Sequence, residues 1–302
     1  MTLRTPSILA LAALLLAAAP GANAVAVYAA GDIAECKKAP VEESGAAATM
    51  RLIPDDATVF VLGDSTYPFS DPKSIARCYQ PTWGRFLAHT YAVPGNHDYI
   101  DNSAADFLHY FGSRNAKHTY FRARVGEWWV FGLDSNINGP ALARQERWLK
   151  RELAAIEGDG HCIVALWHHA LVSTGLHAGD GAAMAPAWLA LDAAGADLVL
   201  SGHEHFYESF DPVDAKGTPK PDGIREFVVG TGGAALVDFS LSSRHRVYAR
   251  VHGVLELELD SDRYAWRFRT VDGDVRDAGS ATCRRAPRPA GDTGEPARQS
   301  AK

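Results

Sequence analysis

Six short apolar runs, spaced between residues 25 and 205, constrain this chain's fold more than any other feature. They read VAVYAAGD, TVFVLGD, TYAVPGNHD, WWVFGLDS, CIVALWHH and ADLVLSGHEH. Each is almost continuously apolar, which suits a strand covered on both faces. Helical patterns lie between several of them. PALARQERWLKRELAAI carries Leu142, Trp148, Leu149 and Leu153, with charge on its other side. APAWLALDAAG is a shorter candidate ending in Gly195. Strands alternating with helices predict an α/β fold. REFVVGTGG, VHGVLELELD and RYAWRFRTV follow with less helix between them, which predicts antiparallel strands completing a second sheet.

The chain has 302 residues, 47% hydrophobic and 22% charged, a composition that supports a sizeable core and excludes a disordered or fibrous class. Its net charge of −6 excludes the basic footprint of a general nucleic-acid binder, so no nucleic-acid partner is expected. The N-terminus reads differently. Arg4 precedes the apolar stretch Ile8 to Ala19, and Ala22-Asn23-Ala24 follows. A basic start, an apolar stretch too short to span a bilayer and a small-x-small site predict a secretory signal peptide over residues 1–24. No later run approaches ~18 apolar residues, so the mature form is expected to lack a membrane anchor. One catalytic domain is expected over 25–284, followed by a disordered tail over 285–302 that is rich in Pro, Gly and charge. Secretion or a periplasmic location gives meaning to the four cysteines, Cys36, Cys78, Cys162 and Cys283. An even count in an oxidising compartment predicts two disulfides, with three pairings open.

Five of the apolar runs end in a polar signature: Asp32, Asp64, Asn96-His97-Asp98, His168-His169 and His203-Glu204-His205. Glycine directly precedes four of them. In open α/β sheets, ligands gather beyond the carboxyl ends of strands, and glycine there lets backbones approach closely. Taken singly, each signature has a plainer reading. GD or GNHD is a turn, WHH a helix end, and H-x-H a surface pair. Taken together, two carboxylates, an amide and several imidazoles exceed what one ion requires. The surplus points to two ions sharing a carboxylate, and the oxygen–nitrogen mixture suits Zn, Mn or Fe rather than Ca. Ions ~3.5–4 Å apart clamp the attacking and leaving oxygens of a phosphoryl displacement. Trp83, Trp148 and Trp167 are read as core residues rather than sugar-stacking platforms.

The ordered set GD…GDxxY…GNHD…H…GHxH resembles the calcineurin-like metallophosphoesterases. Its spacing is most similar to the purple acid phosphatase branch and its bacterial secreted relatives. The resemblance implies a sandwich of two mixed β-sheets flanked by α-helices. It implies Asp32 and His205 as ligands of a first metal, Asp64 as a bridging carboxylate, and Asn96, His168 and His203 as ligands of a second. Tyr67 stands where the purple branch has a tyrosinate ligand to ferric iron, so the cofactors implied are two ions, Fe with Zn, Mn or Fe. His97 matches a catalytic residue that contacts the phosphate and protonates the leaving group. His177, nine residues past His168, matches another substrate-side catalytic histidine, and His169 a neighbour that orients its partner. The implied reaction is hydrolysis of a small-molecule phosphate monoester by a metal-bound hydroxide, without a covalent phosphoenzyme.

Two positions depart from the family pattern. Ala34 occupies the place where many metallophosphoesterases have a ligand histidine, which favours the purple-like arrangement with Tyr67. Ser209 stands where the branch has arginine. The same residues also serve a phosphodiesterase acting on nucleotides or lipid headgroups. A secreted metal-binding protein without turnover is the remaining alternative, and the presence of His97 speaks against it. Cys36 and Cys78 both follow carboxyl ends of strands, whereas Cys162 begins one. Since bonded cysteines need Cα atoms within about 7 Å, Cys36–Cys78 and Cys162–Cys283 are the expected pairs.

Overall fold

The computed structural model describes residues 24–37, 40–101, 103–115, 118–237 and 246–284, so nearly all of the expected signal peptide and the whole expected tail lie outside the described residues. Thirteen strands are described: β1 Val25–Ala30, β2 Thr58–Leu62, β3 Thr90–Val93, β4 Phe121–Val125, β5 Trp128–Gly132, β6 Cys162–His169, β7 Leu198–Gly202, β8 Tyr207–Ser209, β9 Arg225–Val229, β10 Val247–Ala249, β11 Gly253–Leu259, β12 Arg263–Thr270 and β13 Val275–Thr282. They form a six-stranded sheet, β13-β12-β11-β1-β2-β3, and a seven-stranded sheet, β10-β8-β9-β7-β6-β5-β4.

The six apolar runs are β1, β2 and β3 of the first sheet and β5, β6 and β7 of the second. Within each sheet these strands run parallel, so their carboxyl ends share one edge. Antiparallel strands complete both sheets, which makes them mixed. The late strands do not together complete the second sheet, and β9 runs parallel to β7 rather than antiparallel. Strands β11 and β12 extend the first sheet through β1, with Val25 opposite Leu259, while β9 pairs with β7 in the second. The physical reason is the free edge of β1, whose backbone groups need partners that a buried strand cannot find in water.

Alternation along β6 shows why the runs are apolar throughout. Val164 and Leu166 pack with Val27, Val61, Leu198 and Leu200 between the sheets. Ile163, Ala165 and Trp167 pack outward on Leu149 and Leu153 of the helix Gly139–Ala154 and on Trp188 and Leu191 of the helix Ala185–Ala193. Period-two alternation puts neighbouring residues on opposite faces, so a strand between two layers must be apolar at every position. Trp83 and Trp167 are fully buried, and Trp148 packs partly buried against the outer cluster, as core residues do. Truncating a buried tryptophan here would cost ~3–5 kcal/mol.

Both disulfides follow the expected layout, with Cα separations of 5.8 Å for Cys36–Cys78 and 5.7 Å for Cys162–Cys283. The first ties the loop after β1 to the helical turn Ile75–Tyr79; the second ties the start of β6 to the chain after β13. No helix among the described residues is long and apolar enough to cross a membrane.

Candidate metal centre

The chain leaves β1 and β2 through two Gly-Asp turns that stay paired beyond the strands. Asp32 N–H donates to Gly63 O (3.0 Å), Ile33 N–H to Asp64 O (3.0 Å), and Tyr67 N–H to Ala34 O (3.0 Å). This pairing brings Asp32, Asp64 and Tyr67 together. Four of the five non-glycine residues with positive φ among the described residues are Asp32 (58°), Asp64 (53°), His203 (75°) and His205 (46°). Left-handed backbone is disfavoured for such residues, so the surrounding contacts must hold it. They do. Asp64 Oδ1 accepts the His97 N–H and Asp32 Oδ2 accepts the His203 N–H, both at 2.8 Å. Each aspartate is thereby pinned through one oxygen and aims the other inward. The preceding glycines leave the necessary room. A Cβ on Gly95 would sit 2.1 Å from Asp64 Oδ1, and one on Gly63 would sit 2.4 Å from His168 Nδ1.

Two donor sets meet at Asp64. On one side the Tyr67 hydroxyl lies 2.7 Å from Asp32 Oδ1, 2.8 Å from Asp64 Oδ2 and 2.9 Å from His205 Nε2. On the other side His168 Nε2 lies 3.1 Å from Asn96 Oδ1, 3.2 Å from His203 Nδ1 and 3.4 Å from Asp64 Oδ2. Carbonyl oxygens can only accept, so His168 Nδ1–H donates to Leu62 O (2.8 Å) and His205 Nδ1–H to Ala235 O (2.7 Å). Both rings therefore turn Nε2 inward. His97 borders the same space, with Nε2 3.9 Å from Asp64 Oδ2 and Nδ1 on the Pro68 carbonyl. His177 stands at the rim, its ring 4.5 Å from that of His203. All nine residues singled out in the sequence are gathered at one edge of the sandwich.

The calcineurin-like phosphoesterase family profile matches residues 11–207, well over half of the chain. The chain belongs to that family. No curated protein matches it. Among solved structures, a purple acid phosphatase from yellow lupin seeds matches with a TM-score of 0.64 at 17% identity, covering 86% of this chain and 54% of that one. This chain thus spans about half the length of the lupin protein. GAP50, the anchor in the inner membrane complex of Plasmodium, matches with a TM-score of 0.65 at 13% identity, covering 87% and 90%. A dimetal phosphatase from Danio rerio matches with a TM-score of 0.58 at 10% identity, covering 86% and 99%. At these identities the likeness is one of fold.

Membership of the calcineurin-like phosphoesterases implies a two-metal centre, and the side chains of this chain fit one. Donors ~2.0–2.2 Å from a shared ion lie roughly 3.0–3.4 Å from one another. The close contacts in the two sets span 2.7–3.4 Å. By themselves the groups neutralise one another. Burial would raise Asp32 and Asp64, but the charges of His205 and His168, respectively, hold them below the usual carboxylate range. Burial opposes charge on the two histidines as well, yet Asp64 pushes His168 up to about 10 and Asp32 pushes His205 up to about 9. Burial and the charge of His168 push His203 down to about 4 and His169 down to about 2. Burial and the two carboxylates raise Tyr67 well above the usual phenol range, so it is a neutral donor here. Cations bound among these groups would take over the neutralising role and release protons.

Several residues of this edge were given no role by the sequence. Asp98 is buried, and its carboxylate accepts the N–H groups of Asp64 (2.8 Å), Gly95 (2.8 Å) and Ser65 (3.1 Å), locking the β2 and β3 turns together. Its place inside GNHD was the available signal. Ser135 Oγ lies 2.8 Å from His169 Nδ1. It closes the fourth apolar run, WWVFGLDS, so the rule applied to the other five would have found it. Asp180 Oδ2 lies 3.1 Å from His203 Nε2 and 3.4 Å from His177 Nδ1, and nothing local announces it. Three buried glutamates hold the loop that carries His177. Glu226 accepts Leu171 and Val172 N–H, Glu208 accepts Thr174 N–H, and Glu204 accepts His177 N–H.

Proposed function

We propose that this protein is a secreted, binuclear phosphomonoesterase that hydrolyses small-molecule phosphate esters. The observation that carries the reading is Asp64 Oδ2, common to both donor sets. The first set, Asp32, Asp64, Tyr67 and His205, would hold iron. The second, Asp64, Asn96, His168 and His203, would hold Zn, Mn or Fe. When bound, such a pair of ions neutralises phosphate oxygens and lowers the pKa of water enough for it to attack phosphorus.

The chain's own groups supply the remaining steps. The His97 and His203 backbone N–H groups fix the two aspartates before substrate arrives, so no reorganisation is needed during the reaction. The bond from His97 Nδ1 to the Pro68 carbonyl fixes its ring, and a proton on Nε2 passes to the departing alkoxide oxygen. His177 meets the substrate at the rim. Asp180 accepts the His203 Nε2–H, which leaves the Nδ1 lone pair facing inward. Two disulfides, together with the apolar N-terminal stretch, support export to an oxidising compartment.

Metal analysis with paired assays on p-nitrophenyl phosphate and bis(p-nitrophenyl) phosphate tests the reading. Two ions per chain with monoester turnover are expected. Turnover of the diester alone would replace the monoester reading with the phosphodiesterase one. Two bound ions without any turnover would leave a metal-binding protein.

A further inference from the structure

We propose that Phe69 is a specificity-determining residue that receives the leaving group, and that the preferred substrates are phosphate monoesters of apolar, aromatic alcohols. This rests on the phosphomonoesterase reading above and deepens it.

Phe69 is 51% exposed, among the few large apolar side chains so placed in the described residues. A single exposed phenyl ring means little by itself. Its position gives it meaning. The ring centroid lies 6.2 Å from that of His97, at an interplanar angle of 40°. The other neighbour of His97 is Tyr67, at 4.5 Å, inside the first donor set. Phe69 and the metal centre thus share His97 as their common neighbour. The segment is also held in place. Thr66 Oγ1–H donates to Phe69 O (2.8 Å), and Ser70 N–H donates to His97 O (2.9 Å). A general acid acts within ~2.6–3.2 Å of the oxygen it protonates. The carbon on that oxygen must then lie beside the His97 ring, and the rest of the alcohol extends toward Phe69.

The polar groups around the site point the same way. Asp180 adds a carboxylate at the rim, beside His177 and His203. A second anionic group on the substrate meets repulsion from that carboxylate. Leu176, also exposed, precedes His177 and adds apolar surface to the same loop.

The test compares kcat/KM for 1-naphthyl phosphate and glycerol 2-phosphate in wild type and in Phe69→Ala and Phe69→Tyr. Aryl esters react faster for chemical reasons alone, so the readout is the change in the ratio on substitution. Phe69→Ala should lower kcat/KM for the naphthyl ester about 3–10-fold, the worth of one aromatic contact. It should change the glycerol ester less than about 2-fold, and Phe69→Tyr should restore the ratio. Metal content should stay at the wild-type value in both variants. An unchanged ratio in Phe69→Ala overturns the proposal while leaving the phosphomonoesterase reading intact. A wild type that hydrolyses neither ester overturns both.

Discussion

The donor set around Tyr67 and the set around Asn96 share Asp64 but differ in charge. The first gathers two carboxylates, a phenol and one imidazole. The second adds to Asp64 an amide and two imidazoles. Oxygen-rich, anionic sets favour harder and more highly charged ions, whereas neutral nitrogen donors suit divalent transition metals. The difference originates in the backbone. Asp32, Asp64 and Tyr67 are held by one paired pair of turns, while Asn96, His168 and His203 come from three strand ends in two sheets. A single carboxylate can therefore join two unlike sites.

The largest test removes what the halves share. Asp64→Ala should lose both ions and reduce phosphomonoesterase activity to background, as measured by metal analysis and turnover. Near-normal turnover would dissolve the two-set description. His97→Ala should lower kcat by ~10²–10⁴-fold while both ions remain bound, since it alters proton transfer and neither set. Loss of an ion in that variant would make His97 part of the cage.

Two further variants should separate the halves. Asp180→Asn should weaken ion binding in the second set by ~10–100-fold and spare the first, because His203 is the one donor of either set that it touches. Tyr67→Phe should act on the first set. In protein purified under iron-replete conditions, a broad visible band from tyrosinate-to-iron charge transfer should disappear in this variant. A colourless, fully active wild type holding Zn alone would remove ferric iron from the first set. Equal weakening of both ions in either variant would erase the contrast.

The smallest effect comes from buried carboxyl groups outside both donor sets. Asp197, before β7 on the strand-start side, is raised by burial to about 7, and buried Glu226 to about 8. Their unfolded values are about 3.9 and 4.3. The folded state therefore keeps these protons longer than the unfolded chain. The stability they contribute is complete below about pH 4 and is lost as pH rises through about 7–8. Melting of the protein between pH 5 and 8.5 should show a decline on the order of a few °C, smaller in Asp197→Asn. The same slope in that variant would remove Asp197 as its source.

The sequence by itself determined the six buried strands and the edge at which their polar residues gather. These are local matters: a strand covered on both faces must be apolar throughout, and its last residues must be polar if they serve a site. Tertiary structure alone decided which sheet takes β11 and β12, since any free edge offers the same backbone groups to any strand. It also decided the roles of Asp180 and of Glu204, Glu208 and Glu226. Their partners are 23 residues away for Asp180 and His203, and 54 for Glu226 and Val172, so no local spacing reports them. A buried carboxylate is tolerated wherever folding brings N–H donors to it, and that condition belongs to the packed chain rather than to any stretch of it.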